Sequence, residues 1–391
     1  MLKRLILALL ACLVVGSASA PVTAADTVKI GLILPLTGPF TTIGRQAETS
    51  VKLYMQQHGD TVAGKKIELI VKDDGGVADN TRRLAQELAV NDKVQILAGF
   101  GLTPLALATA PVATQAKLPM VVLCAATAII TEQSPFIVRT SFTLPQVTVP
   151  VAEWAPKNGI KKAMTLVADY GPGIDAETTF KSRFTAAGGQ IVGDLRVPLR
   201  NPDFSPFLQR VADTKPDAVF VFVPAGQGGA FMKQFVERGL TKSGVKLIGT
   251  GDVTDDELLN DMGDAALGVV TSHNYSAAHD SPMNKKFVAD FMKASNNVRP
   301  NFFGVSGFDG MHLIYEALKK TKGNTDGETL VNAMKGMSWE SPRGPMTIDP
   351  QTRDVVQNVY MRKVERVNGQ LYNVEFQTVS MVKDPVKAAK H

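Results

Sequence analysis

The feature that most constrains the fold is a regular alternation between short apolar segments and amphipathic helical segments. The apolar segments contain almost no polar residues, which is typical of parallel strands that are covered on both faces. They are 67–71, 94–98, 120–123, 163–167, 218–223, 246–248 and 269–271. A helical segment such as 80–91, with Leu84 and Leu88 one turn apart, lies between two of them. Such repeated βαβ units predict doubly wound α/β sheets, which bind ligands at the carboxyl ends of their strands.

Two sets of these units follow one another, at about 28–138 and 163–275. The pattern then changes to helices, and the chain finishes with two β-rich segments around a turn at Asn368-Gly369, which is typical of a hairpin. We therefore expect two lobes of ordinary domain size.

The first 25 residues have the composition of a secretory signal peptide. Lys3 and Arg4 precede an apolar run over 5–15, small residues follow, and Ala24-Ala25 offers a cleavage site. An alternative is a lipoprotein signal, in which the cysteine of Leu9-Leu10-Ala11-Cys12 would be acylated. The apolar run continues beyond Cys12, which favours a signal that is removed. The chain is thus expected to be exported, with periplasmic localisation.

Composition excludes several classes of protein. Without the signal, Cys124 is the only cysteine, so no internal disulfide is expected. Loss of Lys3 and Arg4 lowers the formal net charge from +5 to +3, and this scattered excess does not indicate nucleic-acid binding. No later apolar run reaches the length of a membrane span, so the exported protein is expected to be soluble.

The loop Gly99-Phe100-Gly101-Leu102-Thr103-Pro104 follows a predicted strand and begins a helix. Thr103 suits the N-cap and Pro104 the first helical position. Free N–H groups and the positive end of the helix dipole suit a carboxylate or phosphate there. The loop also resembles the start of a dinucleotide fingerprint, but Pro104 replaces its third glycine.

Thr127 follows the next strand. Because the ends of neighbouring strands converge, we expect Thr127 and Thr103 to bind the same anion. The alternative is that each threonine only caps its own helix. Tyr170 lies in a glycine-rich loop after a strand, where it covers a ligand or stays a surface residue. Asp252 pairs with a ligand cation or caps a helix beginning near Asp255.

Residues for catalysis are missing from the expected places. Gly304-Val305-Ser306-Gly307-Phe308 fails the nucleophile-elbow pattern at its last residue, and Cys124 has no convincing histidine partner. His273 and His279 match no metal spacing, and no phosphate-binding loop with a Lys-Ser/Thr pair occurs. The sequence therefore predicts a binding protein that is not an enzyme and has no metal or cofactor.

A series of short motifs carries a family resemblance along the whole exported chain. They are 30–39, Lys72-Asp73-Asp74-Gly75, 99–104, Ala125-Ala126-Thr127, Asp169-Tyr170-Gly171, 201–204, 216–219 and 262–268. In this order they resemble the periplasmic solute-binding proteins of branched-chain amino acid type ABC importers. The resemblance implies the type I periplasmic binding fold: two Rossmann-like lobes, three hinge crossings and a ligand cleft between the lobes. It assigns 26–143 plus 277–345 to lobe 1 and 144–276 plus 346–391 to lobe 2.

The resemblance also implies the ligand contacts. The positions of Thr103, Ala125 and Thr127 hold a carboxylate, and Tyr170 is the cleft tyrosine. Ile43 takes the place of a frequent bulky aromatic residue that covers the ligand. The loop residues Phe100, Gly101 and Leu102, together with Asp252, complete the predicted set. The predicted site residues are therefore Ile43, Phe100, Gly101, Leu102, Thr103, Ala125, Thr127, Tyr170 and Asp252.

Two departures from the family leave the ligand open. Asp252 is shorter than the usual glutamate that pairs with an amino-acid ammonium, and Pro224-Ala225 replaces tyrosines and leaves more room. Branched-chain amino acids and aromatic acids both remain candidates, delivered to an ABC permease by a monomer. A sensor accessory of a signalling receptor and a secreted α/β hydrolase are the alternative functions, and the missing nucleophile elbow argues against the hydrolase.

Overall fold

The computed structural model describes residues 27–390, in which two β-sheets are surrounded by helices. The signal peptide predicted at 1–25, with Cys12, lies outside the described residues. The strands are β1 Thr27–Leu34, β2 Thr61–Val62, β3 Lys65–Asp73, β4 Ile96–Gly99, β5 Met120–Val122, β6 Ile137–Arg139, β7 Lys162–Ala168, β8 Gln190–Val197, β9 Ala218–Phe222, β10 Lys246–Thr250, β11 Val270–His273, β12 Ser338–Ser341, β13 Gly344–Ile348, β14 Val355–Val367 and β15 Gln370–Val382. The α-helices are α1 Thr41–His58, α2 Ala78–Val90, α3 Thr103–Ala116, α4 Leu144–Lys157, α5 Gly171–Ala186, α6 Ser205–Thr214, α7 Gly228–Glu237, α8 Pro282–Ala294, α9 Phe302–Lys320, α10 Gly327–Met334 and α11 Pro385–Ala388. Short 3₁₀ helices occupy Ala128–Gln133, Leu240–Lys242 and Leu259–Ala266.

The first sheet has the strand order β2-β3-β1-β4-β5-β6. Its central strands are parallel, and β1 is buried along nearly its whole length because helices cover both faces. Helix α1 packs on α9, so the late helices α8 to α10 return to this lobe. The order changes direction between β1 and β4, and the loops after these strands meet at the carboxyl edge of the sheet.

The second sheet has nine strands, in the order β12-β13-β14-β11-β10-β9-β7-β8, with β15 on β14. The strands from β7 to β11 are parallel, and β14 pairs with β11 in the antiparallel sense. The hairpin predicted around Asn368-Gly369 is confirmed as β14 and β15, with Val367 paired to Gln370. The predicted two-lobed α/β class is therefore confirmed, with one sheet in each lobe.

One backbone carbonyl at the boundary between the lobes accepts several hydrogen bonds. The carbonyl of Ser141, in the first crossing, accepts them from Asn274 at 3.5 Å, Arg343 at 3.2 Å and Gln357 at 3.1 Å. Asn274 follows β11 in the second crossing, whereas Arg343 lies between β12 and β13 and Gln357 lies in β14. This cluster ties two crossings to the second sheet at the hinge. The lobe boundaries predicted at 143, 277 and 345 remain predictions, although strand pairing already assigns 338–348 to the second sheet.

The pattern analysis missed β8 and the hairpin of β12 and β13. Most residues of β8 are half-buried or exposed, because it is an edge strand. It therefore lacks the continuous apolar signature of its neighbours. Within 27–390, no helix is both long and apolar enough to cross a lipid bilayer.

Candidate ligand-binding cleft

A narrow cavity lies between the two lobes, with about 310 Å³ of empty space that includes open solvent at its mouth. It is formed by the loops at the carboxyl ends of the strands in both sheets, where the fold class predicts a ligand. Seven of the nine predicted site residues line it. The complete lining is Ile43, Gly101, Leu102, Thr103, Cys124, Ala125, Ala126, Phe142, Leu144, Tyr170, Pro172, Phe222, Pro224, Ala225, Asp252 and Phe303.

Thr103 and Thr127 come together in lobe 1, where Thr103 lines the cavity and Thr127, also predicted as a site residue, is outside the lining. Their Oγ1 atoms lie 2.7 Å apart, and both side chains are buried. Helix α3 begins at Thr103 with Leu102 as its N-cap, and the hydroxyl of Thr103 caps no helix; the expected N-cap position was wrong by one residue. Thr127 is the N-cap of the 3₁₀ helix Ala128–Gln133, again without a side-chain capping bond. The capping alternative is therefore wrong for both hydroxyls.

One hydroxyl proton of this pair is free for a further acceptor. In a bond between two hydroxyls one donates to the other, and the second keeps a proton to donate elsewhere. The N–H of Thr103, the first residue of α3, lies at the same place, whereas Pro104 has no N–H and those of Leu105 and Ala106 donate to the Leu102 carbonyl. The lobe 1 wall thus offers a hydroxyl and the positive end of a helix, which suit an anionic oxygen.

Lobe 2 covers the threonine pair with the N-terminus of α5. A Cβ atom added at Gly171 would lie 2.8 Å from Oγ1 of Thr127 and 3.4 Å from Cγ2 of Thr103. Only a glycine lets the helix approach this closely, because real Cβ contacts essentially never fall below 3.0 Å. The positive ends of two helices, one from each lobe, therefore converge on the threonine pair.

Two of the predicted residues contribute differently from expectation. The N–H of Ala125 is donated to the carbonyl of Phe100 at 3.0 Å, so Ala125 offers the cavity its methyl group and not a free amide. Phe100 has a left-handed φ of 69° and a fully buried side chain, and it is outside the cavity lining. It shapes the loop by which Gly101 to Thr103 reach the cavity.

Aromatic side chains make the other surfaces of the cavity flat and apolar. The rings of Tyr170 and Phe222 stack with centroids 6.1 Å apart and an interplanar angle of 21°. Phe142 and Phe303 line the cavity as well. Burial, and secondly the charge of Asp252, raises the pKa of Tyr170 well above its ordinary value, so its hydroxyl stays protonated. Sequence reasoning missed the three phenylalanines; only Phe222, at the carboxyl end of a predicted strand, carried a usable signal.

Asp252 lies in the lobe 2 wall, with its carboxylate fixed from behind. Its Oδ2 accepts a hydrogen bond from the Thr250 hydroxyl at 2.8 Å and lies 3.4 Å from Nε2 of His273. It caps no helix among the described residues, so that alternative is wrong. Burial lowers the pKa of His273, which is fully enclosed, and the imidazole is neutral near pH 7.

Further contacts join the lobes outside the cavity. Oδ2 of Asp175 accepts the N–H of Ala128 at 2.8 Å. Nη2 of Arg200 donates to the Gly76 carbonyl, and its guanidinium lies 5.2 Å from the Phe40 ring centroid. These contacts are typical of a cleft in its closed form.

Two other cross-lobe contacts surround the acidic loop after β10. Nδ2 of Asn301 donates to both oxygens of Asp255, at 3.0 and 3.1 Å. Nε2 of Gln46 donates to Glu257 at 2.9 Å. In residues 27–390, no group of three histidine, cysteine or acidic side chains is placed to hold a metal ion.

Comparisons with a family model and with a relative of known sequence agree. A family model described as periplasmic binding protein matches residues 27–370. The Leu/Ile/Val-binding protein homolog 6 of Brucella abortus (strain 2308) is 44% identical over 96% of this chain and 97% of its own length.

Solved structures extend these findings. The solute-binding protein of an ABC transporter from Rhodopseudomonas palustris BisB5, in complex with 3,4-dihydroxybenzoic acid, is 65% identical with a TM-score of 0.91, covering 93% of this chain and 99% of that one. A second such protein, from Rhodopseudomonas palustris HaA2 and in complex with p-hydroxybenzoic acid, is 43% identical with a TM-score of 0.90, covering 93% and 100%.

Proposed function

Because this chain belongs to the periplasmic binding protein family and is a solute-binding protein of the ABC transporter type, we propose that its solute is a small aromatic carboxylate. As the sequence predicted, such a protein is a binding component and not an enzyme. The family's location is the periplasm, and the signal peptide predicted at 1–25 supports export of this chain.

The observation that carries the proposal is the pairing of opposite surfaces in one cavity. The hydroxyl pair of Thr103 and Thr127 keeps one proton to donate to a carboxylate at the start of α3, where Thr103 lines the cavity. Tyr170 and Phe222 offer a flat apolar surface that suits a planar ring. Each charged hydrogen bond orients the ligand, and burial of the ring supplies affinity in proportion to its apolar area.

The aromatic complexes of the two Rhodopseudomonas proteins support the same ligand class. A branched-chain amino acid is the second candidate. It is favoured by the name of the Brucella relative and by Asp252, whose carboxylate offers a partner for an ammonium group. An amino acid would use the polar groups but leave the flat stacked rings without a planar partner.

Ligand capture works by closure of the lobes in this proposal. A ligand that contacts both walls stabilises the closed form by its differential affinity for that form, and the crossings at Ser141 absorb the rotation. The closed protein then delivers its ligand to an ABC permease, as a monomer. Loss of ligand uptake after gene deletion supports this role, whereas a lost transcriptional response with intact uptake supports the sensor alternative.

Calorimetric titration of ligand-stripped protein tests the ligand class. The panel contains benzoate, 4-hydroxybenzoate, 3,4-dihydroxybenzoate, leucine, isoleucine and valine. We expect at least one aromatic acid to bind more tightly than every amino acid by tenfold or more. Tight binding of leucine with no heat from the aromatic acids would overturn the proposal in favour of the second candidate.

A further inference from the structure

The carboxylate of Asp252 faces the cavity, and one of its oxygens would have no hydrogen-bond donor if the ligand were an aromatic acid without a ring hydroxyl. Oδ2 is occupied by Thr250 and lies beside His273, whereas Oδ1 accepts no hydrogen bond from the described part of the chain. The side chain is 3% exposed and lines the cavity. Oδ1 is not enclosed by protein and faces the cavity, so a ligand that fills the cavity excludes water from it. A carboxylate oxygen that loses water without gaining a donor costs free energy, so this position calls for a donor from the ligand.

The surroundings of Asp252 keep that oxygen in place. A Cβ atom added at Gly251 would lie 1.8 Å from Nη2 of Arg362, so the glycine lets the guanidinium pack directly behind the Asp252 backbone. His273 is wedged between Phe302, at 4.0 Å between ring centroids, and Phe142, at 4.6 Å. The carboxylate therefore cannot turn away from the cavity without breaking the bond to Thr250.

Asp252 also lies across the cavity from the donors of lobe 1. Gly171 touches the threonine pair, and the adjacent Tyr170 is near enough to Asp252 for its charge to raise the pKa of the tyrosine. A benzoate carboxylate held by the threonines would share this small space with a second negative charge. A ring hydroxyl leaves both charges in place but donates a hydrogen bond to Oδ1, so it satisfies the carboxylate that plain benzoate leaves without a donor.

We propose that Asp252 is a specificity-determining residue that accepts a hydrogen bond from a ring hydroxyl of the ligand, so the protein selects hydroxylated benzoates over benzoate. This inference rests on the proposed function, since it presumes an aromatic acid in the cavity. Thr250 and His273 act as positioning residues, because they touch Asp252 and not the ligand.

A comparison of three proteins and two ligands tests the assignment. Dissociation constants of benzoate and 4-hydroxybenzoate are measured by calorimetry for the wild type, Asp252→Ala and Asp252→Asn. We expect the wild type to prefer 4-hydroxybenzoate by about tenfold or more, and Asp252→Ala to reduce this preference to about threefold or less. Asp252→Asn keeps one acceptor oxygen, and we expect its preference for 4-hydroxybenzoate to lie between those of the wild type and Asp252→Ala.

Benzoate binding is the internal control for folding of the variants. If benzoate binds each variant at least as tightly as it binds the wild type, a changed ratio reports the hydroxyl contact. An unchanged preference in Asp252→Ala, or no preference in the wild type, would overturn this inference while leaving aromatic-acid binding intact. Failure of every aromatic acid to bind the wild type would instead overturn the proposed function.

Replacement of the positioning residue gives a second readout. Thr250→Val removes the hydroxyl that holds Oδ2 and leaves the cavity lining unchanged. We expect the preference for 4-hydroxybenzoate to fall by several fold, with benzoate affinity nearly constant. Equal loss for both ligands would indicate a purely structural role of Thr250 and would contradict the positioning assignment.

Discussion

The two walls of the cleft are built from the same kind of loop but present opposite chemistry. In lobe 1, the strand-end loops offer paired hydroxyls and a helix N-terminus, which are donors. In lobe 2, they offer stacked rings and the acceptor carboxylate of Asp252. Under the proposed function, this difference sets the direction of the ligand, with its anionic end on lobe 1 and its donor end on lobe 2. Because the donors and the acceptor lie on different lobes, all polar groups of the ligand find hydrogen-bond partners only when the lobes are closed.

The largest expected effect comes from holding the walls apart. Gly171→Val places a side chain against Thr127 and Thr103, where the closest contact of a Cβ is 2.8 Å. We expect affinity for the aromatic ligand to fall by about 100-fold, the equivalent of an overpacking cost of about 3 kcal/mol in the closed form. Gly229→Val is the matched control, since nothing lies within 4 Å of that Cβ near the start of α7. Equal affinities of the two variants would contradict the close approach of the lobes.

Removal of a donor from the lobe 1 wall should have the next largest effect. Thr103→Val keeps the shape of the side chain and removes its hydroxyl, and we expect binding to weaken by about 1–3 kcal/mol, or roughly 5- to 150-fold. Thr127→Val should act similarly, and the double variant should lose less than the sum because the hydroxyls bond each other. The control is Thr109→Val in the same helix, whose hydroxyl bonds only to the Leu105 carbonyl. If calorimetry finds the same ligand affinity for Thr103→Val as for this control, the Thr103 hydroxyl does not bind the ligand carboxylate.

The acidic loop of lobe 2 should give a pH-dependent effect on stability. Burial, with the charge of Glu257 as the second cause, raises the pKa of Asp255 from 3.8 to about 8. The folded protein therefore binds this proton more tightly than the unfolded chain does. The contribution to stability is complete below pH 3.8 and is lost as the pH rises towards 8.

Thermal unfolding of Asp255→Asn tests whether the contribution of Asp255 to stability falls as the pH rises. We expect the variant to gain a few degrees in Tm relative to the wild type between pH 4 and pH 8, with a constant difference above pH 8. Asp217→Asn is an opposite control, because backbone N–H groups of Lys162 and Lys161 lower the pKa of that exposed carboxylate. We expect the Tm difference between Asp217→Asn and the wild type to disappear as the pH falls, because the wild-type carboxylate then becomes protonated. A Tm difference between Asp255→Asn and wild type that does not change with pH would contradict the assignment.

The smallest expected effect concerns the contact at the edge of the cleft. Arg200 joins lobe 2 to the Gly76 carbonyl and the Phe40 ring of lobe 1. Arg200→Ala should raise the ligand dissociation rate by about 2- to 5-fold, the size of an exposed cation–π contact of about 0.5–1 kcal/mol. Stopped-flow displacement measures this rate, with Arg82→Ala on the outer helix α2 as control. An unchanged rate would show that the contact does not resist opening.

Much of the fold could be predicted from the sequence because the parallel strands have a distinctive, continuously apolar composition. Segments such as 218–223 are apolar throughout, and burial on both faces requires that composition. The edge strand β8 has a mixed pattern because one side of it meets solvent, and no pattern could assign it to the sheet. Thr103, Thr127, Tyr170 and Asp252 were found as candidates because each follows a strand, the place where this architecture puts ligands.

The sequence by itself determined the two-lobed α/β class and the strand-end positions from which a site is built, since both depend on local periodicity and on residues next to one another. Only the tertiary structure decided that the two threonine hydroxyls bond each other, that Ala125 has already donated its N–H, and that Phe142 and Phe303 line the cavity. These facts depend on contacts between residues far apart in the chain. Such contacts form only when two sheets and three crossings are packed together, and no local pattern records them.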